Sequence, residues 1–262
     1  MVAKIDVRSL VKRAKEERKS CSSAQVANKS YGALATETVR QHAQQQTPLD
    51  LTNASVSTDI QELFYLPEFL NQTEELQILA AVDAAPASRW INAGERKMQN
   101  WGGIPGESLV REKLPQFLQA LVELLLSAGI FPPEQTPQHV LVNSYGKSAG
   151  IPAHTDGPLY SPCVATITLS GPALMGFHKA LPDGTAGDLV SQVMLQPRCL
   201  LLMRGQACSS HTHSIASQDS DVVCACCSNV QAARVHVGQT VHRAQRRVSL
   251  VFVHKQHASW QC

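Results

Sequence analysis

No stretch of this chain approaches the roughly 18–20 consecutive apolar residues that a bilayer-spanning helix needs, so no membrane partner is expected. The first twenty residues, MVAKIDVRSLVKRAKEERKS, carry charges throughout and lack the apolar centre of a secretory leader. The eight cysteines, at 21, 163, 199, 208, 224, 226, 227 and 262, are irregularly spaced and fall mostly after residue 160. They do not form the framework of a small secreted disulfide domain, so reduced thiols and a cytosolic and nuclear location are expected. Large net charge is missing too, with 23 Lys and Arg against 21 Asp and Glu. No internal repeat is visible.

What is present is a chain of 262 residues, 44% hydrophobic, enough for one sizeable core. Its charge is unevenly placed. Residues 1–57 hold nine basic and five acidic side chains, a surplus of +4, and the remainder is −2. A basic head on a near-neutral body suits weak attraction to an anionic surface such as nucleic acid. Residues 1–20 can form one charged helix. Residues 20–57 are rich in Gln, Ser, Thr, Ala and Asn and show no sustained hydrophobic period, so they read as a linker. The expected organisation is a disordered basic head and linker over 1–57 and a folded domain over 58–262. Within that domain 214–246 reads as a long excursion loop.

The folded part opens with a strand and turn over 63–69. A helix follows, capped by Asn71 or Thr73 and with Glu74 and Glu75 in its first turn. SLVREKLPQFLQALVELLLSAG predicts a second helix, because Leu114, Leu118, Leu121 and Leu125 recur at helical spacing and Gly129 ends it. After Pro137 the texture changes. HVLVNSY, CVATITLS, ALMGFHKAL, VSQVMLQ, CLLLMRGQA and RRVSLVFVHK are short strand-like runs separated by turn residues. Two early helices before a run of strands predict a mainly β fold, a double sheet with flanking helices.

Two residues one position apart, His154 and Asp156 in HTD, stand out as candidate metal ligands. In an extended segment residues i and i+2 point the same way, so both can converge on one ion. Two His and one carboxylate hold Fe(II) on one face and leave positions open for a co-substrate and O₂. The second His must come from a later strand, and SSHTHSIA offers His211 and His213. In RVSLVFV, alternation puts Arg247, Ser249, Val251 and Val253 on one face. An Arg among apolar residues is costly unless it meets an anion, and a carboxylate received bidentately would satisfy it. Asn143 and Tyr145 also share a face and can hydrogen-bond the same ligand.

The order Asn-X-Tyr, His-X-Asp, His, Arg-X-Ser along successive strands resembles the AlkB-type Fe(II)/2-oxoglutarate dioxygenases, in the branch of the sixth homologue of animals and plants. The resemblance runs from about Leu63 to Lys255. It is carried by YLPEFL, RKMQNWGGIP, HVLVNSY, GIPAHTDGPLYSP, LLLMRGQA, HSIA and RVSL. It implies a jelly-roll core, with Fe(II) as cofactor and 2-oxoglutarate and O₂ as co-substrates. It makes His154, Asp156 and His213 the iron ligands, and Asn143, Tyr145, Arg247 and Ser249 the contacts to 2-oxoglutarate. The implied substrate is an alkylated nucleic acid, presented as a single-stranded or flipped base and oxidatively demethylated. The same chemistry on a protein side chain is a second reading, and a nucleic-acid-binding module is a third. RWINAGERKMQNWGGIP falls where the family builds a lid. There Arg96 and Lys97 can meet phosphates, and Trp101 can either stack on a base or act as a packing anchor beside Gly102 and Gly103. Two features depart from the pattern. The family strand usually carries a second Arg at the position of Val253, for which Lys255 is a partial substitute. The CACC of 224–227 has no second CxxC and reads as loop thiols rather than a zinc site.

Overall fold

The computed structural model describes residues 32–56, 59–103 and 112–255. Helix α1 spans 32–45. It is followed by β1 (Leu63–Leu66), α2 (Gln72–Asp83), β2 (Ile91–Ala93), β3 (Arg96–Trp101) and α3 (Gln116–Ser127). Next come β4 (His139–Gly146), β5 (Ile151–His154), β6 (Tyr160–Leu169), β7 (Ala173–Ala180), β8 (Ala186–Leu195) and β9 (Leu200–Arg204). The last elements are α4 (Gln206–Ser209), β10 (His211–Ile215), β11 (Ser220–Val222), β12 (Thr240–His242) and β13 (Arg246–Lys255). A seven-stranded sheet runs in the order β1-β9-β6-β13-β4-β3-β2 and a four-stranded sheet in the order β5-β10-β7-β8, while β11 and β12 pair by themselves. The pairing is antiparallel throughout these sheets.

Strand alternation builds two cores. Along β13, Val248, Leu250 and Phe252 join a core with the helices, while Val253, on the opposite face, joins the core between the two sheets. The helical core takes Leu118, Leu121 and Leu125 from α3 and Ile78 and Val82 from α2. Helix α2 begins at a capping box: the Asn71 side chain accepts from the Glu74 N–H, and the Glu74 carboxylate accepts from the Asn71 N–H. Helix α3 starts at Gln116, after Leu114, because Pro115 disfavours helical backbone in the residue before it. Residues 108–111, the start of the segment expected to be helical, lie outside the described residues.

The division at residue 57 is corrected by α1. This helix lies in the stretch that reads as linker, yet Ala35, Val39 and Ala43 are buried in the helical core. Its His42 ring contacts the Glu74 carboxylate at 2.8 Å. The apolar stripe is made mostly of alanine, so its helical period is faint. The charged helix expected over 1–20 lies outside the described residues.

The excursion of 214–246 is also more ordered than a loop. Asp221 accepts two hydrogen bonds from Arg243, at 2.8 and 2.9 Å, and both side chains are buried. The Asn229 side chain bonds both the N–H and the carbonyl of Met194 on β8. Val223, Cys227 and Ala233 enter the core between the sheets. Cys224 and Cys226 form a disulfide, which corrects the reading of CACC as loop thiols, whereas Cys227 is free and buried.

Candidate metal centre

His154 ends β5, Asp156 lies two residues beyond, and His213 sits in the middle of β10. The β5–β10 register places His213 directly opposite His154. The ligand atoms of His154, Asp156 and His213 all lie within 4.8 Å of one another, and the two imidazole centroids are 4.4 Å apart. His154 Nδ1 lies 2.8 Å from the Pro152 carbonyl. That carbonyl accepts the Nδ1–H and so leaves the Nε2 lone pair free for an ion. His213 is buried, and burial pulls its pKa down, which favours the neutral ring a metal requires. His211 is turned elsewhere, its Nδ1 within 3.1 Å of the Gln206 carbonyl, and it is outside the group. The three residues fit a metal ion, and their two-His, one-carboxylate composition suits Fe(II).

The trio shares a cavity with a second set of residues on the inner face of the large sheet. The register explains the set. Arg247 stands opposite Tyr145 and Ser249 opposite Asn143 on β13 and β4, with Thr168 of β6 next to Ser249. Arg247 is only 6% exposed. Its guanidinium lies 5.3 Å from the Tyr145 ring centroid and donates to Thr168 Oγ1 at 3.2 Å, and its Nε–H is buried without a partner among the described residues. Burial lowers its pKa from the usual guanidinium value. Among the described residues no carboxylate pairs with it. A buried cation with an unmet donor, facing a cavity that also holds a metal-ligand trio, fits a carboxylate ligand chelated to that metal.

The lid residues fall on different faces of β3. Arg96 faces the cavity, but its Nε donates to Asn143 Oδ1 at 3.1 Å, so it orients a site residue. Lys97 alternates to the opposite face and lines an outer cleft with Asp83 and Trp90. Trp101 pairs with Val140, whose side chain belongs to the helical core, and it packs against that core. Its indole N–H donates to Gln99, and the Arg89 guanidinium lies 4.1 Å over the ring. This placement is that of the packing alternative. The chain turns sharply just after Trp101 at Gly102, where a Cβ would clash with the Gln138 carbonyl oxygen. Eight residues of strand, about 26 Å, separate Lys255 from Arg247, and Val253 is fully buried between the sheets. Thr168 and the cavity-lining Met98 and Met203 went unnoticed in the sequence, although the parity of CVATITL with RVSL places Thr168 on the right face.

Residues 70–252 match the family described as the 2OG-Fe(II) oxygenase superfamily. Over 214 residues the chain is 33% identical to the Danio rerio protein named probable RNA/DNA demethylase ALKBH6, covering 79% of this chain and 91% of that protein. It is 26% identical over 226 residues to an Arabidopsis thaliana alkylated DNA repair protein ALKBH8 homolog, covering 77% of this chain but 60% of that longer protein. The solved structure of OsALKBH1 has the same fold, with a TM-score of 0.50 at 16% identity over 74% of this chain and 98% of that one. The mainly β core is thus the jelly roll that the sequence led us to expect. The chain belongs to the 2OG-Fe(II) oxygenase superfamily, within it to the ALKBH6 group, and is an oxidoreductase that uses Fe(II), 2-oxoglutarate and O₂.

Proposed function

We propose that this enzyme oxidatively demethylates alkylated nucleic acid, with His154, Asp156 and His213 holding Fe(II) and Arg247 anchoring the distal carboxylate of 2-oxoglutarate. The observation that carries the site assignment is Arg247: a buried guanidinium with an unmet Nε–H, in the same cavity as the trio. Charge supports it as well. The two positive charges of iron and the one of Arg247 balance the Asp156 carboxylate and the two carboxylates of the co-substrate, so the filled site is neutral in a poorly solvated cavity.

When bound, iron with 2-oxoglutarate and O₂ supplies the oxidation of a substrate C–H bond, and the co-substrate leaves as succinate and CO₂. The chain's own residues prepare that event. Pro152 fixes the His154 tautomer, and burial keeps His213 neutral. Arg96 holds the Asn143 amide, whose NH₂ is left to donate to the co-substrate, and Tyr145 and Ser249 add hydroxyls beside it. Met98, Leu141, Met175, Met203 and Val251 make the walls apolar and limit water near the reacting atoms. An N-methyl group oxidised to N-hydroxymethyl then loses formaldehyde and leaves the N–H base.

The nucleic-acid substrate is supported by the name of the zebrafish relative and by the +4 surplus of residues 1–57. The test is turnover of the full chain on single-stranded oligonucleotides carrying N-methylated bases, with succinate and formaldehyde both quantified. Equal amounts of the two are expected. Succinate without formaldehyde on every methylated oligonucleotide, together with turnover of a methylated peptide, would move the reading to a protein substrate.

A further inference from the structure

The inner face of the large sheet continues past the cavity, away from Arg247. Three segments each carry a cavity-lining residue followed by a residue further along. On β3, Met98 lines the cavity and Asn100 is next on that face; on β4, Leu141 lines it and His139 is next. Asp156 lines it and Tyr160, four residues on, opens β6. The register ties these together: Asn100 stands opposite Leu141, His139 opposite Val253, and Val253 opposite Val164, four residues along β6 from Tyr160.

These positions hold unmet hydrogen-bonding capacity. His139 is 4% exposed, and its Nε2 is buried without a partner among the described residues. Asn100 Oδ1 is likewise buried and unpartnered among the described residues. Tyr160 Oη lies 3.0 Å from His139 Nδ1. Burial and the nearby Lys255 ammonium push the His139 pKa down to about 4, so the ring is neutral. A phenol that donates its proton to Nδ1 leaves the hydrogen on Nε2. The face then offers a donor at His139 Nε2 and an acceptor at Asn100 Oδ1, both uncharged and both on paired strands. Orphaned groups of this kind are rare in folded proteins and point to a missing ligand. A phosphate would meet an acceptor at Asn100. A hydrocarbon would leave both atoms unsatisfied. A planar edge with an N–H beside a carbonyl or ring nitrogen satisfies both. Residues 157–159, between Asp156 and Tyr160, are exposed.

We propose that Asn100, His139 and Tyr160 form a base-reading shelf that receives the hydrogen-bonding edge of an unstacked nucleobase while its reacting group lies at the His154–Asp156–His213 centre. The proposal rests on the nucleic-acid reading above and adds to it the residues that choose the base. Val253, packed in the apolar core, supplies no polar group to this end of the face, so selection falls on the other three strand positions.

The test is equilibrium binding by fluorescence anisotropy, under anaerobic conditions with Fe(II) and 2-oxoglutarate, using the full chain. The probes are single-stranded oligonucleotides, abasic except for one central base: each of the four natural bases, their N-methylated forms, or difluorotoluene. Difluorotoluene keeps the size of thymine without its hydrogen-bonding edge. At least one base is expected to bind tenfold or more tightly than difluorotoluene. His139→Phe and Asn100→Leu should erase that preference while 2-oxoglutarate affinity stays unchanged, and His139→Gln should retain part of it. If difluorotoluene binds the unaltered chain as well as the best base, the shelf is wrong whatever the variants do, and the nucleic-acid reading stands. Persistence of the preference in both variants also overturns it. If no oligonucleotide binds, the nucleic-acid reading falls and the shelf with it.

Discussion

Replacing Arg247 with Met should move two measurements in opposite directions. The guanidinium is buried, has no carboxylate partner among the described residues, and donates a side-chain hydrogen bond to Thr168. In the empty protein this is an uncompensated buried charge. Exchanging such a charge for an apolar side chain of similar reach is often neutral or stabilising, by about 1–4 kcal/mol. With 2-oxoglutarate bound, the same group forms a buried charge-assisted pair. Losing one partner of such a pair costs about 2–5 kcal/mol, which is roughly 30-fold to several thousand-fold in affinity. Urea unfolding of metal-free protein should therefore show Arg247→Met at least as stable as the unaltered chain. Anaerobic calorimetric titration with 2-oxoglutarate, after loading with Fe(II), should show binding weakened at least 30-fold. Lys255→Ala serves as the control and should leave 2-oxoglutarate affinity unchanged. An Arg247→Met protein that binds 2-oxoglutarate within threefold of normal, or that loses more than about 2 kcal/mol when empty, would refute the reasoning.

Asp221→Ala should cost about 3–5 kcal/mol in urea unfolding, because it strands the buried Arg243, whereas Asp221→Leu combined with Arg243→Met should recover most of that loss. His139 is held neutral, with its pKa lowered from 6.5 to about 4. The unfolded chain takes up a proton that the folded one refuses, so stability is complete above pH 6.5 and is lost as pH falls towards 4. The loss is about 3 kcal/mol at most. His139→Gln should remove that slope when metal-free proteins are unfolded across this range. Trp101→Ala should lower stability by about 2–3 kcal/mol, as a partly buried aromatic truncation, and leave oligonucleotide affinity within twofold by anisotropy.

Much of this site can be read from the chain, for local reasons. His154 and Asp156 are two apart in an extended segment, so their common direction follows from strand geometry. Arg247 betrays itself as a charge in an apolar alternation, and Asn143 and Tyr145 by sharing the parity of their strand. What stayed hidden depends on pairing between distant segments. Trp101 and Arg96 lie on the same strand, and only the register of β3 on β4 shows that Arg96 meets Asn143 while Trp101 meets the helical core. His139 begins a strand whose other end is occupied by Asn143 and Tyr145, and its lack of an Nε2 partner is visible only once its neighbours are placed. Helix α1 escaped because Ala35, Val39 and Ala43 give a weak hydrophobic signal, and the groove that buries them comes from residues far along the chain. The Cys224–Cys226 bond follows from the path of a segment that has no regular period.

The metal centre is tested most directly by anaerobic titration of Fe(II) into the metal-free chain and three variants, monitored by calorimetry in the presence of 2-oxoglutarate. One equivalent should bind the unaltered chain and His211→Ala with similar affinity, and none should bind Asp156→Ala or His213→Ala in the same concentration range. Equal loss from His211→Ala and His213→Ala, or full binding by Asp156→Ala, would contradict the assignment of His154, Asp156 and His213 as the iron site.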